Sequence, residues 1–566
     1  MRSARRWLSA VICLAGLLTP EEAAAEDLEL ELPVFGRTAF SMTSTTLLRY
    51  RGANYDPNPH DDDFFSIYQR LNLALQGEQL RAELRIDAFV PFTETVFGPY
   101  PCEVIGSSAC YLDWDVRPER FVLRWEPGEW TVELGDSQTV LGRGVALSVR
   151  KVELLGVDNA LRGGHIRYQG RTFFAQFHGG LATPQNQDPL DLSIIEDPLD
   201  VVVAGRVGVN LPGSVPLATG IQAVRVMFED DSVVTGRAVD VAGWTLEAPA
   251  LAQGKIALYG EANMMRRTES LFDDDSESFG RGIYASAQLQ LEKVTLLLEW
   301  KDYQNFLVAP TVLEGDPWRI YNAAPNVEYD GPQRLRAIGN QRGGGARLDY
   351  AFLPGPWAFS VNAVVYGLNE DPEPTSDPFN GVLVTHGWTS LTRRQEYGDD
   401  VNWGLTMDLG SRFEILLHDE GSLQAGALDR WMLHGQAEVA IGSGDHSVDV
   451  VVDHRHERER RFTGEARDFQ IGGVGVTYSY GIPLALTLGL RWTDFQPGIV
   501  EQREEKGYNL FGGEFYPFLE ARWTFKPGTF VSAFVGQTPG GQLCSGGVCR
   551  DVPTYEGFRL QFVGRL

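Results

Sequence analysis

Residues 556–566 read Glu-Gly-Phe-Arg-Leu-Gln-Phe-Val-Gly-Arg-Leu. In an extended chain Phe558, Leu560, Phe562 and Leu566 fall on one face with Gly564 between them, while Arg559, Gln561 and Arg565 fall on the other. One face suits lipid and the other suits water. A soluble sheet could bury the same apolar face, so the weight rests on recurrence: this alternation fills nearly the whole chain and no helical domain interrupts it. The fold class expected from that pattern is all-β, a transmembrane antiparallel β-barrel.

The alternation is clearest at 80–90, where Leu80, Ala82, Leu84, Ile86, Ala88 and Val90 oppose Arg81, Glu83, Arg85 and Asp87. In a barrel the first set faces lipid and the second lines the lumen. Arg124 and Glu133 are read as lumen-lining too, as are Arg206, Arg347 and Arg491. Comparable segments can be paired along the chain, among them 38–50 with 64–76, 200–210 with 216–228, 382–396 with 401–416, and 430–441 with 446–458. The total is about 24 strands within a range of 22 to 26, and bacterial barrels favour even numbers. Connections alternate in length. Turns such as Glu126-Pro127-Gly128, Gly442-Ser443-Gly444 and Lys526-Pro527-Gly528 are short, whereas 92–116, 138–160 and 306–342 are long. Short periplasmic turns and long extracellular loops are the expected topology. Trp300, Trp357, Trp403, Trp431, Trp492 and Trp523 fall near predicted strand ends, where an amphipathic ring suits the membrane interface.

The N-terminus reads as a targeting segment. Arg2, Arg5 and Arg6 precede an apolar run at 7–18, and Ala23-Ala24-Ala25 offers a small-residue cleavage site. Residues 1–25 are therefore expected to be a secretory signal peptide, 26–37 a short periplasmic leader with no fold of its own, and 38–566 a single barrel. The bacterial outer membrane is the expected location. No stretch of about 18 consecutive apolar residues occurs after the signal, which excludes helical spanning.

A formal charge of −27 argues against nucleic acid as a partner. The runs Asp61-Asp62-Asp63, Glu229-Asp230-Asp231 and Asp273-Asp274-Asp275 read as solvated loops and lack the ligand spacing of a calcium loop. Cys102 and Cys110 bracket one loop and Cys544 and Cys549 another, and export into an oxidising compartment makes two local disulfides the expectation. Zinc would need both pairs in one tetrahedral site, and no metal or other cofactor is expected.

Gly557, Phe558, Leu560 and Phe562 resemble the C-terminal signal by which outer-membrane barrels are recognised for insertion. That resemblance implies the barrel-assembly machinery and outer-membrane lipid as partners. Residues 135–163 break the strand rhythm with Leu-Gly-Arg-Gly at 141–144 and Leu-Gly-Val-Asp-Asn-Ala-Leu-Arg-Gly at 155–163. These two runs resemble the signature of an uncharacterised family of large, porin-like outer-membrane barrels of Gram-negative bacteria. The resemblance implies the fold and carries no substrate.

A lumen ringed by about 24 strands is wide, and left open it would leak. Segment 138–160 is therefore read as a candidate constriction, its Arg143, Arg150, Lys151 and Arg162 pairing with lumenal carboxylates such as Glu83, Asp87 and Glu133. The competing reading is an extracellular hairpin with no gating role. Catalysis has few candidates: His418-Asp419-Glu420 and His454-Arg455-His456-Glu457 are the densest, and no Gly-x-Ser-x-Gly or His-Glu-x-x-His motif occurs. The expected function is a non-enzymatic, porin-like channel for an unidentified small polar solute. The alternative is an occluded surface scaffold or partner of a secretion or adhesion system.

Overall fold

The computed structural model describes residues 28–32, 36–52, 64–92, 115–152, 157–185, 195, 197–211, 213, 216–229, 237–268, 277–308, 321–323, 325, 327–328, 340–352, 355–368, 382–397, 401–416, 427–461, 466–493, 515–545, 548–552 and 554–565. Every regular element among them is a strand. Among the described residues, 25 of the 31 strands belong to one antiparallel sheet and the other six form three two-stranded ladders; 24 strands of the large sheet close into a barrel.

Closure is made at the stretch quoted first. Tyr555–Arg565 pairs with Thr529–Thr538 on one side and with Gly36–Arg51 on the other, with Phe558 opposite Tyr50, Leu560 opposite Leu48 and Phe562 opposite Thr46. A closed sheet leaves no unpaired edge, which the hydrocarbon core of a membrane demands of any spanning β-structure. The remaining strand, Leu28–Leu32, pairs with the start of Gly36–Arg51. It falls in the stretch read as a leader without a fold of its own, and it adds a short ladder below the first barrel strand.

Strands expected at 200–210 and 216–228 are observed at Val201–Leu211 and Leu217–Met227, paired antiparallel in register. The pair expected at 382–396 and 401–416 is Val382–Tyr397 with Val401–Leu416. Period-two alternation explains this agreement, because burial follows it residue by residue. In Leu217–Met227, Gln222, Val224 and Val226 are buried while Ile221, Ala223, Arg225 and Met227 are exposed. Exposed Met264, Leu409 and Leu488 belong to the outer apolar band. Near the periplasmic turns, Arg393 lies 4.7 Å from the rings of both Trp357 and Trp403, so its stem can cross the apolar band while its charge rests on aromatic faces.

Cys102 and Cys110 lie outside the described residues, as do residues 1–25, Asp61–63, Asp230, Asp231, Asp273–275 and the 418–420 run. The backbones of Cys544 and Cys549 stand opposite each other in a small hairpin formed by Gly541–Ser545 and Val548–Val552.

Candidate functional site

The inner wall is not uniform. Along Leu80–Phe92 it presents Arg81, Glu83, Arg85 and Asp87, whereas across Val201–Leu211, Leu217–Met227 and Ala238–Leu251 it presents Val202, Ala204, Val224, Val226, Val239 and Val241, all buried. Alkyl groups facing a water-filled lumen would cost free energy. Here they are covered by protein: the same apolar cluster contains Leu141, Val145, Ala146, Leu147 and Val149 from segment 138–160, and Phe306, Val308 and Tyr321 from segment 306–342.

Segment 138–160 builds two short ladders. Thr139–Leu141 pairs with Leu147–Val149, and Lys151–Val152 pairs with Val157–Asp158. Leu141-Gly142-Arg143-Gly144 forms the turn of the first, closed by Gly144 N–H donating to the Leu141 carbonyl at 2.9 Å. Gly142 and Gly144 have φ of +57° and +85°, a region L-residues with side chains avoid. A Cβ on Gly142 would also collide with the Glu261 carboxylate. The glycines of this motif are thus required by backbone geometry and close approach, with no phosphate-binding role.

Glu261 is the dock. It is 2% exposed and accepts from the Arg143 N–H at 3.0 Å, Gln222 Nε2 at 2.8 Å, the Tyr259 hydroxyl at 2.7 Å and Asn263 Nδ2 at 2.9 Å. Four donors make a buried carboxylate tolerable. The Arg143 guanidinium lies 5.0 Å from the centre of the Tyr259 ring. The second half of the motif is fastened elsewhere. Asp158 receives Arg85 Nη1 at 2.9 Å and Gln138 Nε2 at 3.2 Å, its carbonyl accepts from Arg120, and Arg162 Nε bonds Asp136 at 2.9 Å.

The two long connections also hold each other. Ser148 N–H donates to the Tyr321 carbonyl at 2.8 Å, Ala323 N–H to the Gly144 carbonyl at 3.2 Å, and the Tyr321 hydroxyl to buried Asp200 at 2.6 Å. Further along, Glu328 is clamped by His386 Nδ1 at 2.5 Å, Tyr366 hydroxyl at 2.7 Å and Arg412 Nε at 2.9 Å. Burial pushes the Glu328 carboxyl up, but the His386 hydrogen bond and the Arg412 charge outweigh it and hold the group at about 2. His386 Nε2 is 2.8 Å from His434 Nε2, and Arg430 bridges Glu457 at 3.3 Å and Glu459 at 3.1 Å.

The carboxylates named from sequence have their own wall partners. Glu83 pairs with Arg81, Asp87 with Arg85 at 2.5 Å and Arg70 at 3.5 Å, and Glu133 with His165 at 2.9 Å and Arg124 at 3.3 Å. The contacts between this wall and segment 138–160 include the segment's own carboxylate, Asp158, on Arg85, and Thr139 on His178 at 2.6 Å. Lys151 lines a cavity of about 690 Å³ with Arg81, Glu83, Arg124 and Glu133. A second cavity of about 920 Å³ is lined by Arg347, Asp349, Asp408, His434 and Arg455 among others.

Within His446–Arg461, alternation splits the densest titratable run. His456 packs beside Trp431 on the outer face, while Arg455 and Glu457 bond each other at 2.9 Å on the inner one. Among the described residues no three His, Cys, Asp or Glu side chains gather in metal-binding geometry. Sequence reasoning passed over Glu261 and Glu328. Glu261 carries a signal, a lone acid at an inward position of a predicted strand; Glu328 carries none, because its connection has no periodicity.

A closed 24-stranded antiparallel barrel with an apolar outer band is an outer-membrane protein. No protein-family model matches the chain, and no curated protein matches it. Solved structures similar in architecture include the siderophore receptor PirA from Pseudomonas aeruginosa (11% identity, TM-score 0.44, 93% of this chain and 80% of that one). OccK9 from the same organism aligns at 11% identity and TM-score 0.38 over 72% of this chain and 97% of that one. The P pilus usher translocation pore aligns at 8% identity and TM-score 0.38 over 93% and 99%.

Proposed function

We propose that this barrel is a non-enzymatic diffusion channel for small polar solutes, narrowed by segment 138–160 folding inward and locking onto segment 306–342. The observation that carries the reading is the Glu261 dock, where an inner-wall carboxylate bonds the backbone of the Leu-Gly-Arg-Gly turn. The constriction is eccentric. Both segments cover the valine-lined wall, so solute passes along the charged wall that includes Arg81, Glu83, Arg124 and Glu133, together with Arg347, Asp349 and Arg455 on the far side. Cations and carboxylates alternate there, which gives weak selectivity and favours hydrated, polar cargo.

Single-channel conductance of the refolded barrel in a planar bilayer tests this. Deleting 143–155 is expected to raise the conductance in one step. Equal conductance with and without the segment would sink the constriction, and a barrel silent in both forms would favour a surface scaffold that displays its outer loops.

A further inference from the structure

The outer face carries a cationic patch that the channel reading does not use. On Leu217–Met227, Ala238–Leu251 and Ile256–Thr268, Arg225, Asp240 and Arg266 lie side by side in register. Asp240 is shared by Arg225 at 3.7 Å and Arg266 at 3.1 Å. Two strands further round, Asp302 is shared by Arg281 at 3.3 Å and Arg342 at 2.9 Å. Across the two triads and Glu277, which lies 3.7 Å from Arg266, four arginines face three carboxylates, and the one cation in excess belongs to the triad of Arg281, Asp302 and Arg342. A guanidinium offers five donors and these pairs occupy few of them. Arg225, Arg266 and Arg281 keep nearly half their side-chain surface open, at 47–49%.

The position of the patch fixes what can occupy it. These residues lie on the lipid-facing side, because alternation places them in line with exposed Ile221, Met264, Ile283 and Trp300. Each apolar residue sits two to four positions nearer the periplasmic end of its strand than the cation or carboxylate above it, a rise of roughly 5–10 Å for a tilted strand. Acyl chains therefore meet the lower residues, and the charges stand above them in the upper part of the apolar band, with exposed Met227 and Phe279 two positions beyond Arg225 and Arg281. Isolated charges on a lipid-facing surface are costly, and an anion at the acyl boundary offsets that cost. In a chain of formal charge −27 this local excess of arginine is also against the general trend.

We infer that the patch is a binding site for a phosphorylated glycolipid of the outer leaflet, its phosphates taken by Arg225, Arg266, Arg281 and Arg342 and its acyl chains lying on Met264, Ile283 and Trp300. Guanidinium groups are suited to this work because they bind phosphate oxygens in bidentate fashion.

The test uses the full barrel, delipidated in detergent and titrated with bisphosphorylated lipid A, with the same lipid after phosphate removal, and with phosphatidylglycerol, with retained lipid counted by native mass spectrometry. Bisphosphorylated lipid A is expected to bind tightest, and the triple variant Arg225→Gln, Arg266→Gln, Arg281→Gln to lose affinity on the order of 100-fold. Arg171→Gln, in a periplasmic turn, should bind as the parent does. Unchanged channel conductance identifies a folded triple variant; if it does not assemble, Arg281→Gln alone should still lose measurable affinity. Equal retention by parent and variant overturns the site. Equal binding of the dephosphorylated lipid overturns the role of phosphate, and equal binding of phosphatidylglycerol overturns the assignment to a glycolipid.

Discussion

Leu80–Phe92 and Leu217–Met227 are equally regular strands of the same barrel, yet their inner faces are opposites. The first presents Arg81, Glu83, Arg85 and Asp87; the second presents Gln222, Val224 and Val226. Their outer faces are both largely apolar, so the bilayer treats them alike and the difference reports on the lumen alone. An inward valine is stable only beneath other protein, and Val224 and Val226 share their buried cluster with Leu141, Val145, Phe306 and Tyr321. Apolar lining therefore marks a filled sector, whereas charged lining marks a wet one only where it stays exposed, as at Arg81 and Glu83; Arg85, Asp87 and Arg412 are charged and buried.

Changing the chemistry of the covered wall should have the largest effect. Val241→Asp places a carboxylate at a position 2% exposed within the apolar cluster. Docking should weaken by about 3 kcal/mol or more, and single-channel records should shift from the constricted to the wide level for most of the time. A record indistinguishable from the parent would mean that the valine wall is not what seats the two segments.

Glu261→Ala sharpens the same contrast from the polar side. It strips the acceptor from four donors at once, one of them the Arg143 N–H. Burying orphaned donors costs about 1–3 kcal/mol each, part of which water entering the gap recovers. Frequent transitions to a wider level are expected, with the docked level still visible. The absence of added transitions would place the anchor elsewhere.

Acid probes the second clamp. The folded pKa of Glu328 is depressed to about 2, so its contribution is full above the ordinary carboxylate value and is lost as pH falls toward 2. Gating noise should accordingly rise between about pH 4.5 and pH 2. Glu328→Gln should show comparable noise at neutral pH and a flatter acid response. A parent channel equally quiet at pH 2 and pH 7 would remove Glu328 from the lock.

How much of this was legible follows from which force shapes each element. Barrel strands obey lipid on one side, a period-two rule that 80–90 and 556–566 display openly. Segment 138–160 obeys no period. Its seat was nevertheless written in the wall, since Val201-Val202-Val203-Ala204 is apolar on both faces, which a strand between lipid and water has no reason to be. Reading all alternate positions as lumenal water missed that. It also led to Glu83, Asp87 and Glu133 as partners for the segment, although acids in a charged wall satisfy one another with the arginines beside them. Glu328 had no signal at all, because its partners His386 and Arg412 are 58 and 84 residues away.

The smallest expected effect lies on the wet wall. Glu83 is paired with Arg81 and both are well exposed, 39% and 48% by side chain, so solvent screens the pair and its loss costs little stability. Glu83→Gln should leave the conductance level and its noise unchanged while moving the reversal potential in a salt gradient toward anions, since Arg81 then stands uncompensated in the solute path. Val241→Asp should do the reverse, altering the level with little initial change in ion preference. If Glu83→Gln instead altered the level and left selectivity untouched, Glu83 would belong to the covered sector, and the division of the lumen drawn from inward side chains would fail at the wall where it is plainest.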